Sequence, residues 1–321
     1  MCGIVGIYHK KEPACGDVYD ALIQVQHRGQ DAAGISTWDT EKISTHKYTG
    51  LVTEVFKHQT TFDKLAGNIG IGHVRYPTAG GDNVSEAQPF FTANPVNISL
   101  AHNGTLTNSE KLKEELIRIN FCQFNTNSDS EVLLKQFCYE LYKTKFRKLT
   151  KRHVYKALNK VFQKCTGGYA VVMIVAGIGL VAFRDPKGIR PLSLGKYKTS
   201  YLIASESSAI TAMGYDLESD IKPGQVVIID EQGDVDKKRP IKGSTNQPCL
   251  FEYVYFSRPD STIDKISVHK SRLRMGDFLG EKILRDYKDL NVDVVIPVPD
   301  TSRTLSLIHI SEPTRLLSIA Y

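Results

Sequence analysis

The chemistry that this sequence could perform begins at its second residue. Cys2 follows Met1 directly, and Met1 is trimmed efficiently ahead of a small residue. Trimming would leave one residue that carries both a thiol and a free α-amino group. Reference values of about 8.5 for a thiol and about 7.7 to 8.0 for an α-amine let that amine take the thiol proton at small cost near neutral pH. A nucleophile and its base would then share one residue, an arrangement suited to attack on a carbonyl carbon. The plainer reading is a small buried hydrophobe at the start of a strand.

Four further positions convert that thiol into a candidate site. Asn103 and Gly104 end an apolar run and can offer a side-chain amide and a backbone N–H to a developing oxyanion. Arg75 ends another such run, and its guanidinium forks onto a carboxylate. Asp129 sits in the first turn of an expected helix and suits an ammonium group. Together they match what the side-chain amide of free glutamine would require: a nucleophile, an oxyanion hole, and partners for its α-carboxylate and α-ammonium. Singly, each has a plainer reading: a hairpin turn at 103–104, a surface ion pair at Arg75, a helix-start carboxylate at Asp129.

The elements that must position these residues are readable in outline. Cys2–Tyr8 is β-branched and apolar and reads as a strand buried on both faces. Val18–Val25 has helical spacing and stops near Gly29. Strand-like runs follow at Gly34–Trp38, Ile43–Tyr48, Asn68–Val74 and Ile98–Ala101. Two helices are expected behind capping boxes, Thr107 with Glu110 and Ser128 with Glu131. A basic helix spans about 151–164, and strands return at Tyr169–Val175, Gly179–Phe183, Tyr201–Ala204 and Gln225–Asp230. Strands at both ends and helices in the middle predict an α+β fold of sheets packed on helices. We place a first domain at 1–234 and a polar linker at 235–249. Beyond it Leu250–Phe256 reads as a strand, Ser271–Asp289 as a helix and Val292–Ile296 as a buried strand, the start of a parallel sheet.

Composition narrows the class. The chain has 321 residues, enough for two domains, with an apolar fraction of 41%. No apolar run approaches the roughly 18 residues that span a bilayer, which with the absence of a signal-like start predicts a cytoplasmic protein without membrane contact. The six cysteines lack paired spacing and read as reduced thiols. A net charge of +6, read as spread along the chain, gives weak support for an anionic ligand and predicts no nucleic-acid partner.

The motifs CGIVGI at Cys2, QHRGQDAAGI at Gln26, GIGHVRYPTAG at Gly70, LAHNGTLTN at Leu100 and NSDSEV at Asn127 resemble those of the amidophosphoribosyltransferases. CLFEYVYFSRPDS at Cys249, IDKISV at Ile263 and VIPVPDTS at Val295 extend the resemblance to Ser302. The first three and the HNG of the fourth are shared in outline by class II glutamine amidotransferases at large. The later segments set this family apart from sugar isomerases such as glucosamine-6-phosphate synthase, and from a catalytically silent relative only if Cys2 reacts.

The resemblance implies an αββα N-terminal-nucleophile glutaminase domain followed by an α/β type I phosphoribosyltransferase domain, here 250–304. It implies Cys2 as nucleophile, Asn103 and Gly104 as oxyanion hole, and Arg75, Thr78 and Asp129 as holders of glutamine. Ammonia would pass to phosphoribosyl pyrophosphate and give 5-phosphoribosylamine, the first step of de novo purine synthesis. Magnesium serves the second site, with Ser302 as the matching residue. Homotetramers are common in the family. Some members carry an iron–sulfur cluster on four cysteines, but only Cys249 lies near such a position and no cluster is expected. The family's acidic magnesium ligands have no counterpart after Thr304. There Leu305–Arg315 resembles a translated sequencing adapter, so 305–321 reads as a non-native tail, the segment after Leu250 as poorly folded, and the chain as retaining the glutaminase half alone.

Overall fold

The computed structural model describes residues 2–76, 84–119, 121–287, 296–297 and 302–303. Two compact units divide the chain, Met1–Pro248 and Cys249–Tyr321. The first unit contains, in order, β1 (Gly3–Tyr8), α1 (Cys15–Gln24), β2 (Ala32–Trp38), β3 (Ile43–Thr49), the short helices α2 (Val52–Val55) and α3 (Gln59–Asp63), β4 (Ile69–Arg75), β5 (Phe90–Thr92) and β6 (Ile98–Leu106). It continues with α4 (Ser109–Arg118), α5 (Asp129–Tyr142), α6 (Lys151–Lys164), β7 (Gly167–Val175), β8 (Gly179–Arg184), β9 (Ser193–Tyr197), β10 (Ser200–Ala204), α7 (Ser207–Ala212), β11 (Asp216–Asp220), β12 (Val226–Asp230) and β13 (Val235–Lys238).

These strands form two antiparallel sheets, ordered β11-β9-β10-β1-β4-β2-β3 and β13-β12-β8-β7-β6-β5. Strand periodicity explains why they stack. In β1, Ile4 and Tyr8 face the other sheet with Ile69 and Ile71 of β4 and Ala170 and Val172 of β7. Val5 and Ile7 face the opposite way, toward α1 and α7. On the far side, Val171 and Met173 of β7 pack with Leu133, Phe137 and Leu141 of α5 and Val154, Leu158 and Val161 of α6. Each such side chain, fully buried, stabilises the fold by about 1.5–3 kcal/mol. The layering is therefore helix, sheet, sheet, helix.

Close packing decides several local choices. A Cβ on Gly72 would stand 2.7 Å from Val18 and 2.8 Å from Leu22, so α1 lies flat on β4 only because the strand is bare there. Helix α6 buries Val154, Tyr155 and Leu158 and turns its lysines outward, as expected of a solvated face; the stretch around it nevertheless gathers many of the cations that composition alone reads as spread. Of the capping boxes, Ser128 Oγ accepts from Ser130 N at 3.3 Å, but Glu131 turns away to Asn125 and Thr126. Thr107 hydrogen-bonds Thr166 instead, and α4 starts behind Asn108. Val235–Lys238, inside the stretch that composition reads as linker, pairs with β12 as an edge strand.

The second unit forms defined elements where the sequence reading expects little order. Glu252–Phe256, read as a strand, is a π-helical turn, followed by β14 (Thr262–Ile263), β15 (Ile266–Ser267) and α8 (Val268–Asp286). Arg272 of α8 is buried and donates to the carbonyls of Tyr253 at 2.8 Å and Ser257 at 2.7 Å. Those bonds hold the coiled turn, which an apolar run cannot announce by periodicity alone. The expected strand at Val292–Ile296 and the tail at 305–321 lie outside the described residues, apart from Ile296 itself.

Candidate functional site

Cys2, Arg75 and Asn103 converge because of strand parity. Gly3 pairs with Val74, so the start of β1 and the end of β4 share one rim of the sheet. Position 2 continues the face of Ile4, position 75 that of Ile69 and Ile71, and position 103 that of Ala101, the face turned toward the opposing sheet. One residue earlier on β6, His102 faces the helix layer instead, where its Nδ1 lies 2.8 Å from Ser130 Oγ.

The backbone nitrogen of Cys2 donates to Asn103 Oδ1 at 3.2 Å. That bond sets the orientation of the amide, and the other end, Asn103 Nδ2, is buried without a hydrogen-bond partner among the described residues. A buried, unspent donor costs stability, which makes it a marker of a site that awaits an acceptor. Gly104 adopts φ +150°, and a Cβ there would stand 2.0 Å from the carbonyl oxygen of Gly168. Only glycine fits.

Burial pushes the Cys2 thiol above its ordinary range; the Tyr76 backbone, the positive chain terminus and Arg75 act in the opposite direction, and Asp129 adds to the rise. The resting group is therefore a thiol that needs a base. Arg75 is buried, and its NH1 lies 2.7 Å from Asp31 Oδ2. Asp129 accepts from the backbone N–H of Leu106 at 2.8 Å, which ties the head of α5 to the end of β6. Thr78 lies outside the described residues.

Sequence reasoning passed over three residues that the fold brings to this rim. Arg28 donates from Nε to the carbonyl of Cys2 at 3.2 Å and pairs through NH1 with Glu206 at 2.6 Å, both side chains fully buried. Asp31 orients Arg75. Arg28 and Asp31 stand inside the motif at Gln26, which was the available signal. Glu206, lying 178 residues from Arg28, gave none.

Among the described residues no group of three or more His, Cys, Asp or Glu side chains could hold a metal ion. Ser302, in the second unit, supplies one neutral hydroxyl, whereas a divalent cation takes several oxygen ligands. The described donors therefore do not fit a magnesium site. No helix among the described residues is long and apolar enough to cross a membrane.

A helix–sheet–sheet–helix sandwich with a cysteine at its rim, matched over residues 73–212 by the glutamine amidotransferase domain family, defines a class II glutamine amidotransferase fold. Amidophosphoribosyltransferase of Pseudomonas aeruginosa is 49% identical over 311 residues, covering 96% of this chain and 62% of its own length. That of Saccharomyces cerevisiae is 45% identical, with shares of 96% and 62%. The glutamine phosphoribosylpyrophosphate amidotransferase of B. subtilis, solved with ADP and GMP, superposes with a TM-score of 0.82 at 34% identity, covering 98% of this chain and 64% of that one. Over nearly its whole length the chain is similar to amidophosphoribosyltransferases. It spans less than two thirds of the length of these relatives.

Proposed function

We propose that the first unit hydrolyses glutamine at Cys2 and that the whole protein uses the released ammonia to aminate phosphoribosyl pyrophosphate. The reading rests chiefly on the buried, unspent Nδ2 of Asn103 beside the residue that carries the nucleophile. With Met1 removed, the Cys2 nitrogen becomes an amine that takes the thiol proton. The thiolate attacks the side-chain carbonyl carbon, and the carbonyl electron pair moves to oxygen, where Asn103 Nδ2 and the Gly104 N–H receive it. Collapse expels ammonia, which leaves with the proton held by the amine, and a thioester remains. Water, deprotonated by the same amine, then releases glutamate and restores the thiol. Arg75, oriented by Asp31, receives the α-carboxylate; Asp129, with Thr78, holds the remainder of the amino acid.

In the second half-reaction ammonia displaces pyrophosphate from phosphoribosyl pyrophosphate to give 5-phosphoribosylamine. The motifs at Cys249 and Val295 support that assignment, and the glutamine half is the part the described residues can carry out. Labelling with the glutamine-like electrophile diazo-oxo-norleucine, followed by peptide mapping, tests it. A single adduct at Cys2 is expected, with loss of glutaminase activity in Cys2→Ala and in a form that retains Met1. An unlabelled Cys2 in a folded, trimmed chain overturns it.

A further inference from the structure

We infer that Glu206, a residue that does not touch the reacting atoms, is a positioning residue for the nucleophile, acting through Arg28. The inference rests on the glutaminase reading given above. Cys2 stands just ahead of β1, and Arg28 holds its carbonyl through Nε at 3.2 Å. A guanidinium on a flexible stem holds a direction only if its other face is held as well, and Glu206 Oε1 does this at 2.6 Å. The same oxygen accepts from His27 Nε2 at 2.8 Å, while Oε2 accepts from Ser208 Oγ at 3.3 Å, so the carboxylate is itself fixed from two sides.

The neighbouring residue works on the same stretch of chain. Ser205 N donates to the carbonyl of Ile4 at 3.0 Å, and Ser205 Oγ accepts from Ile4 N at 3.0 Å. The corner between β10 and α7 thus clamps the chain at Ile4 directly and at Cys2 through Arg28. Arg28 and Glu206 act on the backbone ahead of β1, so loss of the clamp should displace the thiol while Arg75, held by Asp31, and Asp129, held by Leu106, keep their own partners. Misplacement of a reacting group lowers the rate of the chemical step more than it weakens binding.

The test must separate positioning from folding, because truncating one partner of a buried ion pair is strongly destabilising whereas replacing both by apolar residues is commonly neutral. The double variant Arg28→Met with Glu206→Leu is therefore compared with wild type, and Glu206→Gln serves as the conservative single change. For the double variant we expect a melting temperature near that of wild type, a kcat for glutamine hydrolysis reduced by about 10- to 100-fold, and an unchanged KM. Glu206→Gln, which keeps an acceptor for Arg28, should retain more activity than the double variant. Wild-type kcat in the folded double variant, or a loss confined to KM, overturns the assignment. Wild-type chain that takes no label at Cys2 instead refutes the glutaminase reading, so the two failures are told apart before any variant is made.

Discussion

Asn103 Oδ1 accepts a hydrogen bond from the backbone nitrogen of Cys2 at 3.2 Å, and the same side chain keeps its Nδ2 buried with no acceptor among the described residues. One residue thus orients the nucleophile with its acceptor end and presents its donor end to whatever Cys2 attacks. The two functions separate in Asn103→Asp, which keeps an acceptor and loses the donor. We expect kcat for glutamine hydrolysis to fall by about 10²- to 10³-fold with KM little changed, read from steady-state glutamate release. A near-wild-type kcat would remove Asn103 from the oxyanion hole.

Gly104 offers a test in stability. Gly104→Ala places a Cβ against the Gly168 carbonyl at a φ of +150°. The change should destabilise the first unit by about 1–3 kcal/mol through backbone strain alone, seen as a lower urea midpoint at an unchanged m-value. An unchanged midpoint would mean that β6 and β7 can part there at no cost.

The thiol should respond to its charged neighbours with opposite signs. Its ionisation is displaced upward by burial, so alkylation by iodoacetamide should reach half-maximal rate at a higher pH than for a free cysteine. Arg75→Gln removes a positive charge that favours the thiolate and should move that midpoint higher still. Asp129→Asn removes a negative charge that opposes it and should move the midpoint lower. Shifts of the same sign in both variants would contradict the arrangement.

His73 connects burial to acid stability. It lies fully buried on β4, and burial, followed by the neighbouring His102, pushes its pKa down to about 3. An unfolded histidine titrates near 6.5, so between about 6.5 and 3 the unfolded chain binds the extra proton. Stability should therefore fall as the pH drops through that window, by up to about 1.4 kcal/mol per pH unit for this group. Denaturant titrations at several pH values should show that slope, and His73→Phe should flatten it.

What was readable in advance follows from short-range rules. The apolar runs at 2–8, 68–74 and 98–101 mark buried strands and put positions 2, 75 and 103 near strand ends, but runs apolar at every position do not say which face each side chain takes. Motif context supplies Cys2, Arg75, Asn103, Gly104 and Asp129. The capping box at Thr107 and the strand at Leu250–Phe256 were misread because a local pattern competes with partners far along the chain: Thr166 in one case, Arg272 in the other.

By itself, then, the sequence determined the layered strands, the reactive terminus and the residue types around it, since a spacing of two or of 3.6 and a side chain's chemistry are local properties. Only the tertiary structure decided that Glu206 stands behind Arg28, that Asp31 holds Arg75 and that Asn103 faces Cys2 with its carbonyl end. Those facts depend on which strand ends meet when two sheets stack, and on which buried charge must find its counter-charge once water has been excluded.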